Sequence, residues 1–141
     1  MKLIIYISLF AFLLLGCSNP NRNLVLVEND YEIDLTQLDS VRENLNGFWI
    51  PENQLDSENI IWFDFHKKKN SSIWRSVPKE KTESYPIFSC PTLVILIKVN
   101  GKTAIEYINL GGSDTTKIEY LSKTKFKIDG NTYLKHKGYE F

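Results

Sequence analysis

The sequence predicts a mostly β domain, a sandwich or barrel of short antiparallel strands preceded by one short helix. Three observations carry this. From Gly47 onward apolar and polar residues alternate with period two in short runs, the pattern of a half-buried strand. The runs are separated at regular spacing by turn signals such as Asn100-Gly101, Gly111-Gly112 and Asp129-Gly130-Asn131. Strands do not alternate with helical segments, so a parallel βαβ sheet is not expected. The composition agrees: 141 residues with 17 Lys+Arg against 17 Asp+Glu, 43% hydrophobic and 13% aromatic. This suits one domain. It excludes a strongly basic nucleic-acid binder and an acidic solvating tail, and it is too apolar for wholesale disorder.

The chain opens MKLIIYISLFAFLLLGC. Lys2 supplies a positive start, and Leu3–Leu15 forms an apolar run of 13 residues, shorter than the roughly 20 that cross a bilayer. The run ends in Leu14-Leu15-Gly16-Cys17, which resembles the lipobox of bacterial lipoproteins, where a small residue precedes the modified Cys. The resemblance implies that residues 1–16 are a cleaved signal peptide. It further implies that Cys17 carries acyl chains such as palmitate on its thiol and on its new amino group. Two or three chains hold a protein firmly where one holds it only reversibly. The expected location is the bacterial cell envelope, lipid-anchored to a membrane and in particular the outer one. The plainer alternative is an ordinary signal peptide that happens to contain a Cys.

Removal of the signal leaves residues 17–141, with 16 basic against 17 acidic side chains. Cys90 is then the remaining cysteine besides the lipidated one and has no partner for an internal disulfide. Its setting, Phe88-Ser89-Cys90-Pro91, reads as a buried inert thiol, because a reactive thiolate needs an exposed electropositive site. Residues 17–33 form the lipidated Cys and tether. Within them Ser18–Asn23 is polar, and Leu24-Val25-Leu26-Val27 is a candidate first strand.

The folded domain is expected over residues 34–141. Leu35, Leu38, Val41 or Arg42, and Leu45 fall at helical spacing, with Asp34 as the expected N-cap and Asn46-Gly47 as the stop. Strands follow at Asn59–His66, Ser72–Val77, Leu93–Val99, Lys102–Leu110, Lys117–Leu121, Lys125–Ile128 and Thr132–Lys135. Lys67-Lys68-Lys69-Asn70 reads as a solvated turn, and lysines there also discourage edge-to-edge aggregation.

Trp62 and Trp74 lie equidistant from residue 68. A hairpin centred there makes them cross-strand partners on one face, with Asp64 opposite Ser72 and Ile61 opposite Arg75. The opposite face, with Ile61, Phe63, Phe65, Ile73 and Val77, is the more apolar and is expected inward, although it carries Arg75. An inward Arg75 needs a carboxylate or an aromatic ring. The two tryptophans then mark an outer contact patch; with the phase reversed they line a cavity. Trp62, Trp74, Phe63, Phe65 and Arg75 are therefore the candidate ligand or partner contacts.

Leu45-Asn46-Gly47-Phe48-Trp49, a short helix followed by Gly-x-Trp opening a strand and an antiparallel meander, resembles the lipocalin-like (calycin) domains. The closing strands Lys117–Leu121, Lys125–Ile128 and Thr132-Tyr133-Leu134 are similar to the final hairpin of such domains. The resemblance covers about residues 35–137 and implies a small closed meander barrel. It implies that Gly47 and Trp49 close one end, the indole packing beneath a basic side chain of the last strand, Lys135 or Lys137. A large ring with one N–H donor suits such a plug in any case.

Catalytic patterns are sparse. Asp64-x-His66 places two potential metal ligands on one strand face, but His136 or another ligand must converge on them; a solvent-facing polar edge is the simpler reading. Gly111-Gly112 opens no helix, and no Gly-x-Ser-x-Gly elbow is present. The expectation is a membrane-anchored protein without cofactor, metal, nucleic-acid partner or enzymatic activity, binding a small apolar or amphipathic ligand at the barrel mouth. The alternative is an envelope interaction or inhibitor lipoprotein whose partner is a protein. A long apolar cavity favours the first; a filled interior with an exposed tryptophan patch favours the second.

Overall fold

The computed structural model describes residues 23–65, 69–80 and 91–138. Among them, helix α1 (Leu38–Leu45) is followed by strands β1 (Gly47–Pro51), β2 (Asn59–Phe65), β3 (Ser71–Pro78), β4 (Thr92–Val99), β5 (Lys102–Asn109), β6 (Gly112–Leu121), β7 (Lys125–Ile128) and β8 (Asn131–His136). Each strand pairs antiparallel with the next, and β8 returns to β1, from Phe48↔His136 to Pro51↔Tyr133. The result is a closed eight-stranded meander barrel of lipocalin-like form. No helix among the described residues is long and apolar enough to cross a membrane.

The turns follow from backbone chemistry. Asn100-Gly101 and Asp129-Gly130 both take φ > 0 at two successive positions (52° and 81°; 49° and 72°), matching the twist of the strands they join. Gly supplies one position in each pair, and Asn or Asp tolerates the other. β5 turns into β6 through Leu110-Gly111, where Leu110 is fully exposed.

The helix begins later than Asp34. Its N-cap position is Gln37, without a side-chain cap. Asp34 instead closes its own turn, accepting from the Thr36 N–H and from the Thr36 hydroxyl, each at 2.9 Å. A short carboxylate that finds a local donor two residues on competes with the helix in this way. Val41 and Leu45 point from α1 into the barrel end and are fully buried. The preceding segment seals the same end: Thr103 donates its N–H and its hydroxyl to the Leu35 carbonyl at 2.8 Å, and the Ile33 N–H donates to Leu121 O at 2.7 Å.

Leu24–Val27 is not a strand. Leu24 makes an isolated bridge to His136 and the Val25 N–H donates to Lys135 O at 2.9 Å, while Leu26 is exposed. The reason is closure. A barrel has no free edge to extend, and only Lys135 and His136, which outrun the end of β7 at Lys125↔Leu134, accept a neighbour.

The interior is packed from the sealed end upward. Trp49, Phe63 and Phe126 are fully buried with Val94, Ile105 and Leu121, and their rings meet edge to face: Trp49–Phe126 at 4.7 Å and Phe63–Phe126 at 6.0 Å between centroids. A smaller cluster of Ile50, Ile60 and Val77 lies on the outer face, with Phe48, Trp62 and Leu134 against it.

The β2–β3 hairpin departs from the expected register by one residue. Trp62 pairs with Arg75, Phe63 with Trp74 and Phe65 with Ser72. A shift of one residue moves a side chain to the other face, so Trp62 and Trp74 do not share one. Ile61, Phe63 and Phe65 do pack with the interior, as the apolar face of β2 was expected to. In β3 the phase is reversed: Trp74 packs with the interior, while Arg75 and Val77 lie outside. The cost of burying an unpaired charge favours that phase, and Arg75 instead stacks over the Trp62 ring at 4.3 Å. Cys17, Ser18–Arg22, His66, Lys67, Lys68 and Cys90 lie outside the described residues.

Truncating Phe63 to Ala is expected to cost about 3–5 kcal/mol, as for other buried aromatics. Leu110→Ser at an exposed turn is expected to change stability by no more than about 0.5 kcal/mol. Urea unfolding of the two variants, followed by tryptophan fluorescence, checks the contrast.

Candidate functional site

The two barrel ends differ in kind. At the sealed end, the Trp49 indole N–H donates to Leu45 O at 2.7 Å, fixing the ring against the last turn of α1. Lys135 crosses from β8 and places Nζ 4.2 Å from the centre of that ring. It also donates to the carbonyls of Asn44, at 2.8 Å, and of Asn46. Gly47 permits this approach. Its φ of +114° suits glycine, and a Cβ there would lie 3.4 Å from Lys135 Cε and Nζ. Of the two lysines weighed from sequence, Lys135 covers the ring; Lys137 is exposed and donates its backbone N–H to Asn23 O. Burial pushes the Lys135 ammonium down to about 7.

At the opposite end the barrel is open among the described residues. A cavity of about 590 Å³ is lined by Trp74, Tyr107, Asp114, Thr116, Asp129 and Tyr133, with Thr92, Asn109, Ile128 and Asn131 completing the wall. It falls within the range of small-ligand sites. Trp74, Tyr107 and Tyr133 rest their rings on the packed core. Trp74 and Tyr107 meet edge to face at 5.6 Å, and Tyr133 stacks flat on Phe126 at 4.5 Å. The rings are therefore held from below and present fixed aromatic faces and two hydroxyls. Desolvation, and then the negative charge of Asp129, raise Tyr133 above the usual phenol range. Tyr107 is raised further, by desolvation, then by Tyr133 and Asp129. Asp129 also accepts a long hydrogen bond, 3.4 Å, from the Thr116 hydroxyl across the β6–β7 side of the wall.

Of the five residues singled out from sequence as contacts, Trp74 lines this cavity. Phe63 and Phe65 lie in the closed core beneath, stacked on each other at 6.1 Å. Trp62 and Arg75 lie outside the barrel, where Trp62 also stacks on Phe48 at 5.6 Å. Tyr107, Asp114, Thr116, Asp129 and Tyr133 were not singled out. A signal existed: Ile105-x-Tyr107-x-Asn109 and Asp114-x-Thr116-x-Ile118 keep period-two phase with core residues. It was hidden because the expected β6 began at Lys117, which left Asp114 and Thr116 in a loop, whereas the strand begins at Gly112.

His136 is buried, accepts the Gly138 N–H at Nδ1 (2.9 Å) and lies beside Phe48 on the outer face. No group of three or more potential metal ligands occurs among the described residues.

Stability is expected to vary with alkaline pH in two opposed phases. Between about 7 and 10.5 the unfolded chain carries a proton on Lys135 that the folded chain has lost, so stability rises. Above 10 the folded chain keeps phenolic protons on Tyr107 and Tyr133 that the unfolded chain loses, so stability falls. Urea midpoints measured across this range should show the rise flattened in Lys135→Met and the fall flattened in Tyr107→Phe.

Comparison with protein-family models, with characterised proteins and with solved structures gives no match for this chain.

Proposed function

We propose that this is a membrane-anchored lipoprotein of the bacterial cell envelope whose barrel mouth binds a small amphipathic molecule, and that it acts as a binding protein rather than an enzyme. One observation carries the reading: a preformed cavity of about 590 Å³ whose aromatic rings are immobilised on a solid core while its rim is polar. Such a site orders few of its own groups when a ligand enters, which removes much of the usual entropic cost of binding. The cavity lining mixes aromatic rings with carboxylates, hydroxyls and amides, so it favours an amphipathic ligand over a purely apolar one. The exposed tryptophan pair that would favour a protein partner is not formed, because Trp62 and Trp74 lie on opposite faces.

Two measurements test this. The neutral amphipathic fluorophore prodan is expected to bind the purified full chain with a blue-shifted emission. Thr116→Trp, which fills the mouth, should weaken it at least tenfold. Undiminished binding in that variant would move the site elsewhere. For the anchor, intact-mass measurement of membrane-extracted protein is expected to show cleavage before Cys17 and added acyl mass, both lost in Cys17→Ser. An unmodified Cys17 at the mature N-terminus would exclude it.

A further inference from the structure

The polar part of the mouth has one sign. Asp114 and Asp129 both line the cavity, and among the described residues no basic side chain lines it. The surroundings have the same bias. Among the described residues, the connections at this end carry Glu52, Asp56, Glu58, Glu80 and Asp129 against Lys79, although the whole chain is neutral. Lys79 is turned to a different task, donating through Nζ to Leu55 O at 2.7 Å. The sealed end is mixed: Lys69, Lys123 and Lys137 stand there with Glu28, Asp30, Glu32 and Asp34 of the segment before α1. The charge at the opening is thus negative, and a cleft with low-dielectric walls concentrates such a field.

The apolar part of the mouth is aromatic. Trp74, Tyr107 and Tyr133 present π systems whose faces are partly negative, and an organic cation is attracted to such faces as well as to carboxylates. Burial is the main reason both phenols resist ionisation, and the charge of Asp129 adds to it.

We infer that the ligand class selected by this mouth is an organic cation: an amine or quaternary ammonium on a compact apolar body, its charge between Asp114 and Asp129 and its body against Trp74, Tyr107 and Tyr133. This deepens the proposed ligand-binding reading and rests on it. An anionic amphiphile such as a fatty acid is disfavoured, since it would carry its charge against two carboxylates with no basic side chain among the described residues of the wall. A neutral polyhydroxylated ligand can use the same rings and oxygens but gains nothing from the field.

Three indole probes of nearly equal shape separate these cases: tryptamine (cationic), tryptophol (neutral) and indole acetate (anionic). They are titrated calorimetrically into the purified full chain in a non-ionic detergent. Tryptamine is expected to bind at least tenfold more tightly than tryptophol, with indole acetate weakest, and added salt should narrow the gap. Asp114→Asn and Asp129→Asn should each lower tryptamine affinity about tenfold, and together collapse its preference over tryptophol. Asn tolerates the positive φ of residue 129, so melting temperature should be preserved. Equal or tighter binding of tryptophol or indole acetate would overturn the cation assignment and leave the mouth as the ligand site. Absence of binding by all three would overturn both. The wild-type series alone decides this if either variant fails to fold.

Discussion

The stack of Lys135 on Trp49 is the contact on which the rest of the molecule depends. Trp49 belongs to β1 and Lys135 to β8, the strands that must meet for the sheet to close, and they are paired in register. The indole N–H ties the pair to α1, and the ammonium reaches the carbonyls at the end of the same helix. One cluster therefore fixes the seam, the plug and the helix together. It sits on the β1–β8 seam, where the backbone ladder from Phe48↔His136 to Pro51↔Tyr133 leaves neither terminal strand as a free edge. The fixed ring also starts a column that runs through Phe126 to Tyr133, so the position of the mouth's aromatic wall is inherited from the sealed end.

This explains how polarity is graded along the interior. Small barrels fill with side chains unless something interrupts the packing. Here Phe63, Phe126 and their neighbours complete a core in the lower part of the barrel, and stability needs no further apolar residues above it. The upper inward positions of β6 are then free to carry Asp114 and Thr116.

Much of the architecture is legible in the sequence where chemistry is local. Asn100-Gly101 and Asp129-Gly130 specify turns by the φ values they tolerate, and the alternation around them marks β4, β5, β7 and β8 within a residue or so. Trp49 is legible because its position after a short helix and a glycine is distinctive. The register of β2 against β3 is not, because the side-chain period of two leaves the phase of a hairpin to the length of its connection. Residue 68 as a centre and the observed pairing differ by one residue, and that one residue separates Trp62 from Trp74. The mouth was hidden for a related reason. Gly112-Ser113-Asp114-Thr115-Thr116 is polar on both faces, and a strand polar on both faces looks like a loop until its neighbours show that one face lines a cavity.

Both described chain ends lie beside one another at the sealed end, where the Lys137 N–H donates to Asn23 O. Five residues separate Cys17 from Asn23, a reach of at most about 20 Å when extended. Under the proposed anchoring the barrel stands on its base like a cup on a short stem, its brim facing away from the lipid. What it collects then arrives from the aqueous compartment rather than by lateral diffusion in the bilayer. Such a stem would also restrict the cup to a thin layer above the membrane, so that the proposed ligand would be concentrated beside the surface without entering it.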